Sequence, residues 1–169
     1  MIKRVICIPD SFKGTLSSSQ IINITKSVFK KHNPEIEVLG IEVADGGEGT
    51  VDAFLSISKG RKVNHSASGP HFEKIDSFYG ILPGNVAVIE MAACAGLPLV
   101  KDNPNPLITT TFGVGELMIS AYENGCQKMI IGLGGSSTND GGCGAAVALG
   151  FKFLDETDQE FIPTGGTLS

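Results

Sequence analysis

The chain has 169 residues, 41% hydrophobic and 18% charged, with a formal net charge of -5. That is the composition of a soluble globular protein, and it supplies no basic stripe for a nucleic acid or an anionic membrane. No window approaches the roughly 18 consecutive apolar residues of a membrane span, and the N-terminus has no apolar signal core. Cys7, Cys94, Cys126 and Cys143 are widely spaced, with no CxxC pattern and no paired histidines. This argues against structural zinc and a disulfide framework and makes a reducing cytoplasm the natural setting.

Val5-Ile6-Cys7-Ile8, closed by Pro9, predicts a first strand buried on both faces of a parallel sheet. A polar loop runs from Asp10 to Thr15. Ser17 to Gln20 has capping-box spacing, and Ile21, Ile22, Ile24, Val28 and Phe29 predict a helix to about Lys31, stopped by Pro34. Ile36 to Val43 predicts a second strand, which delivers a second polar loop, Asp45 to Gly49. A helix from Thr50 to about Lys59 closes at Gly60. This β-α-β-α order puts both loops on one sheet edge, where open parallel sheets bind ligands.

The texture then changes. Lys62 to Ser66, Lys74 to Tyr79 and Val86 to Glu90, separated by Gly69-Pro70 and Pro83-Gly84-Asn85, predict an antiparallel meander, with a domain boundary between Gly60 and Gly69. Met91 to Leu97 is a short helix and Asp102 to Pro106 a linker. The hydroxyls of Thr109, Thr110 and Thr111 are placed to cap a helix carrying Leu117, Met118, Ala121 and Tyr122, which ends at Asn124-Gly125. Lys128 to Leu133 is a strand, Ala145 to Leu149 lies in a helix, and Lys152 to Leu154 with Glu160 to Ile162 forms a hairpin.

Three loops carry candidate chemistry. Between the last long strand and the helix after it lies Gly132-Leu133-Gly134-Gly135-Ser136-Ser137-Thr138-Asn139-Asp140-Gly141-Gly142. Its five glycines and five consecutive polar side chains suit a phosphate-bearing or polyhydroxylated ligand at a helix start, where free N–H groups favour negative charge. It lacks Gly-Lys-Ser/Thr, and Ser137 stands where a dinucleotide fingerprint has its last glycine. The competing reading is a tight β-α turn with polar caps. In the first loop, Asp10, Ser11 and Lys13 offer a lysine for phosphoryl oxygens and a carboxylate for a hydroxyl or a cation, or else a solvated loop with a capping Asp. In the second, Asp45 and Glu48 among Gly46, Gly47 and Gly49 suit magnesium or the hydroxyls of a small acid. The alternative is an acidic helix cap worth ~0.3–1 kcal/mol.

Taken together, five blocks resemble, in order, those of the bacterial type-1 glycerate kinases. They are Ile8 to Gly14, Val43 to Thr50, Ile89 to Ala92, Thr110 to Glu116 and Gly132 to Gly142. The resemblance runs the length of the chain, which amounts to less than half of the family's length and so corresponds to its N-terminal portion. It implies an α/β fold of two domains. One is a parallel Rossmann/flavodoxin-like domain, residues 1–65, incomplete here and completed in the family by the distal chain; the other is a second, mixed α/β domain, residues 66–169. It implies a cytoplasmic enzyme that uses ATP and Mg²⁺ to phosphorylate D-glycerate, typically to 2-phosphoglycerate.

On this reading Lys13, Asp45 and Asp140 are catalytic. Asp10, Ser11, Gly46, Gly47, Glu48, Gly134, Gly135, Ser136, Ser137, Thr138, Asn139, Gly141 and Gly142 bind substrate or phosphate, and Asp45 with Glu48 holds the metal. A first sheet short of strands implies exposed edges, covered by a second copy or by the missing C-terminal half. The alternatives are a ligand-binding fragment without turnover and an oxidoreductase, the latter opposed by the missing dinucleotide fingerprint.

Overall fold

Ser17 opens the first helix as its spacing predicts. Its hydroxyl accepts from the Gln20 N–H, and the Gln20 side chain accepts from the Ser17 N–H. A computed structural model describes residues 2–12 and 15–168, so the Lys13 and Gly14 of the first polar loop lie outside the described residues. The chain divides into two units, residues 1–44 and 45–169.

In the first unit, strands β1 (Arg4–Cys7) and β2 (Glu37–Gly40) pair in parallel, Val5 opposite Val38, with helix α1 (Ser18–His32) connecting them. The β-α-β order follows the apolar runs. The burial does not: Ile6 and Ile8 are 56% and 55% exposed, and Ile24 and Val28 on α1 are exposed as well. The physical reason is layer count. Two strands and one helix cover a single face of the sheet, whereas burying a parallel strand on both sides takes helices on both. Only Ile22 of α1 is buried, and it packs so tightly that a Cβ at Gly40 would overlap its side chain.

The second unit contains α2 (Thr50–Ile57) and a four-stranded sheet in the order β3-β4-β5-β6. β3 (Arg61–Ser68), β4 (Lys74–Leu82) and β5 (Val86–Glu90) form the expected antiparallel meander. Its second turn is made by Pro83-Gly84-Asn85, with φ of 82° at Gly84 and 58° at Asn85. β3 is continuous from Arg61 to Ser68 and paired with β4 along its length, so residue 65 falls inside a strand. β6 (Lys128–Gly132) joins β5 in parallel, Glu90 opposite Gly132.

The β5-to-β6 connection holds α3 (Ala92–Ala95), a 3-10 turn at Leu97–Val100 and α4 (Phe112–Glu123). Val114, Leu117 and Ala121 of α4 pack with Tyr79, Ile89 and Cys94 in the main core. Helix α5 (Cys143–Ala148) and the small hairpin of β7 (Phe153–Leu154) and β8 (Glu160–Phe161) complete the unit.

A carboxylate latches α4 to the sheet. Glu116 accepts from the Ser68 N–H and, at 2.6 Å, from the Lys74 ammonium. Partial burial lifts the Glu116 carboxyl, but the Lys74 and Ser68 hydrogen bonds together hold it below its ordinary value of 4.5. A carboxyl lowered on folding adds stability that is full above the unfolded value and is lost as pH falls through the folded one. The melting temperature should therefore drop on acidification below about pH 4.5, and the Glu116→Gln variant should show a flatter acid limb between pH 7 and 3. Identical slopes would remove the latch from the account.

Candidate functional site

Two glycine loops of the second unit meet main chain to main chain. The Gly134 N–H donates to the Gly46 carbonyl at 2.9 Å. A Cβ on Gly132 would stand 2.5 Å from the Gly46 oxygen, and one on Gly134 would stand 2.6 Å from the Gly47 nitrogen. Both are closer than real side-chain carbons come, so glycine is required for the contact itself.

On the first of these loops Asp45 and Glu48 are exposed. Asp45 Oδ1 is fixed by the Gly47 N–H at 2.8 Å, and Glu48 lies beside Gly135, its Oε1 3.4 Å from where a Cβ of that glycine would be. The Thr50 hydroxyl donates to the Gly47 carbonyl at 2.7 Å and closes the turn into α2. Gly49 occupies the N-cap of α2 with φ 88°, a left-handed conformation that has no side chain to cap the helix. The cap comes from the end of β5 instead. Glu90 Oε1 accepts from the Gly49 N–H at 3.3 Å and Oε2 from the Val51 N–H at 2.8 Å. Burial pushes the Glu90 carboxyl above its ordinary value, against the pull of those two N–H groups.

The second loop sorts its polar side chains into two sets. Ser137 is buried, its N–H and hydroxyl both directed to the Ala95 carbonyl and its own carbonyl accepting from the Thr109 hydroxyl. Asp140 is 1% exposed. Its Oδ2 accepts from the Thr111 N–H at 2.7 Å, the Thr111 hydroxyl at 2.8 Å and the Gly144 N–H at 3.1 Å, and its Oδ1 from the Gly142 N–H at 3.1 Å. Ser136 and Thr138 are half-buried and share a hydroxyl–hydroxyl hydrogen bond of 2.9 Å, while Asn139, Gly141 and Gly142 are exposed. The accessible surface is thus made by Leu133, Gly134, Gly135, Ser136, Thr138, Asn139, Gly141 and Gly142, with Asp45 and Glu48 alongside.

Asp10 and Ser11 belong to the first unit. There the Ser11 N–H donates to Asp10 Oδ1 at 2.7 Å, and Asp10 is exposed. Of the threonines expected to cap α4, Thr110 does so, its hydroxyl accepting from the Phe112 N–H at 3.1 Å, while Thr109 and Thr111 have other partners. Thr111 stands at the α4 N-cap without a side-chain cap bond, because its hydroxyl donates to Asp140 and accepts from the Ala145 N–H of α5 at 3.0 Å. That partnership spans 29 residues and had no local signal. Glu90 had one, an acid ending the apolar run Val86 to Ile89 and suited to line a cleft, but nothing local named the start of α2 as its partner. Among the described residues no group of three or more His, Cys, Asp or Glu side chains is gathered for a metal. Two exposed carboxylates do suit a cation like Mg²⁺, which takes one or two carboxylates and completes its shell with phosphate and water. No helix of the described residues is long and apolar enough to cross a membrane.

The chain matches the model of the glycerate kinase family over residues 5–169. It is 45% identical over 168 residues to a glycerate kinase of Bacillus subtilis (strain 168) and 41% identical over 168 residues to a glycerate 2-kinase of Escherichia coli (strain K12). Each match covers 98% of this chain and 44% of the relative. A crystal structure of a protein assigned as glycerate kinase 2 from Salmonella typhimurium LT2 superposes with a TM-score of 0.80 at 37% identity, over 99% of this chain and 46% of that one. The chain thus spans less than half the length of these relatives.

The buried half of the second loop is open to test. Asp140→Ala strands four donors, each worth about 1–3 kcal/mol when left without an acceptor. Urea unfolding should show a loss of at least about 3 kcal/mol, against a change within ~0.5 kcal/mol for Asn139→Ala on the exposed side. Equal midpoints for the two variants would mean that Asp140 does not hold the loop.

Proposed function

The chain belongs to the glycerate kinase family, and we propose that it serves the ATP- and Mg²⁺-dependent phosphorylation of D-glycerate to 2-phosphoglycerate. The observation that supports this is the apposition of an acidic loop and a glycine-hydroxyl loop, joined at 2.9 Å between Gly134 and Gly46. Phosphoryl transfer asks a protein mainly to position its reactants and to neutralise spreading charge. The choice of the 2-position rests on the Escherichia coli relative being a glycerate 2-kinase.

In this reading Asp45 and Glu48 hold Mg²⁺ or orient glycerate hydroxyls. A bound Mg²⁺ would neutralise phosphate oxygens. The N–H groups and hydroxyls of Gly134 to Gly142 receive a phosphate or the glycerate carboxylate. Lys13, with Asp10 and Ser11, is assigned by its sequence block to the transferring phosphoryl group. Asp140, read from sequence as catalytic, is given a different task here because four internal donors surround its carboxylate. It sets the shape of the binding loop. A second reading, a ligand-binding segment without turnover of its own, takes its support from the 44% span of the relatives.

A coupled assay of ADP release separates the two. Turnover that requires both D-glycerate and Mg²⁺ supports the kinase reading; calorimetric binding of ATP or D-glycerate without turnover supports the second; binding of neither would overturn both. Within an active protein, Glu48→Gln and Lys13→Ala should each lower kcat by about 10²-fold, the size of a lost charge contact in the transition state. Unchanged rates would take those side chains out of the mechanism.

A further inference from the structure

Strand β5 ends in a buried acid that the proposed chemistry does not touch. Side chains alternate along a strand, so Ala87 and Ile89 enter the core with α4, while Val88 and Glu90 face the opposite side, where α2 packs on β5. Glu90 is 3% exposed. A carboxyl is kept in such a place only when its oxygens are occupied, and here both are, by the Gly49 and Val51 N–H groups. They belong to the N-cap and the second residue of α2, whose first-turn donors have no intrahelical partner. Glu90 thus does at long range what a Ser or Asp at position 49 would do locally.

The strand end that carries this residue is tied to the other loop through the main chain. It stands opposite Gly132 in the β5–β6 register, and the following Met91 N–H donates to the Gly132 carbonyl at 3.0 Å. The end of β5 therefore grips the acidic loop through the Glu90 side chain and the start of the glycine-hydroxyl loop through the neighbouring Met91 N–H.

We infer that Glu90 is a positioning residue, setting the Asp45–Gly49 loop, and with it the carboxylates of Asp45 and Glu48, in register with the Gly132–Gly142 loop. What those carboxylates act on rests on the kinase reading above. The grip needs a carboxylate: an amide offers one acceptor and turns an NH₂ toward the second N–H.

The test pairs amide hydrogen exchange with steady-state kinetics on the intact chain. In Glu90→Gln, exchange at Gly49 and Val51 should quicken at least about tenfold while amides of β4 keep their protection. The kcat for D-glycerate should fall about 10- to 100-fold, by more than KM rises, as for a lost supporting contact. Glu90→Asp, which keeps the charge on a shorter stem, should lie between. The double variant Glu48→Gln/Glu90→Gln should be no slower than the worse single variant, since both act through one loop. Unchanged exchange at Gly49 and Val51, or fully additive losses, would overturn the inference. Absence of turnover in the unsubstituted chain would overturn the kinase reading instead, and the exchange rates would still decide the role of Glu90.

Discussion

The second unit depends on a place where two stretches of main chain touch with no side chain between them. Gly132 and Gly134 lie against Gly46 and Gly47 at distances that exclude a Cβ on Gly132 or Gly134. Close backbone approach lets a single N–H to carbonyl bond, Gly134 to Gly46, join an acidic loop to a hydroxyl-rich one. Everything accessible in the candidate site is carried on one loop or the other, so their relative position is what the surrounding packing has to secure.

Two buried acids secure it, and they work alike. Asp140 gathers the N–H groups of Thr111, Gly142 and Gly144, together with the Thr111 hydroxyl, and Glu90 gathers those of Gly49 and Val51. In both cases a carboxylate removed from water is compensated by main-chain donors at a helix start, where N–H groups lack partners and the dipole favours negative charge. The exposed acids, Asp45 and Glu48, have few internal partners and face solvent. Burial thus separates the acids that hold the loops from those that face solvent.

The first unit is a different case. Its β-α-β order was plain from Val5 to Ile8, the Ser17–Gln20 capping box and the run from Ile36, yet the apolar residues predicted to be interior are in large part exposed. An apolar run reports that a strand can be buried on both faces. Whether it is depends on what packs against it, and among the described residues of this unit one helix and one neighbouring strand are all there is.

What the sequence determined by itself was local: the elements and their order, the two glycine loops, and, through five ordered blocks, the family. Those signals are written within a few residues of one another, as capping spacing, apolar period and glycine placement. Tertiary structure decided which partners the polar residues have. Asp140, read from its block as catalytic, is enclosed by donors, Thr111 looked like a helix cap and reaches across to Asp140, and Glu90 caps a helix from about 40 residues away. Hydrogen bonds between segments 29 to 41 residues apart leave no periodic trace, because their partners are chosen by the fold that brings strand ends together rather than by neighbours in the chain.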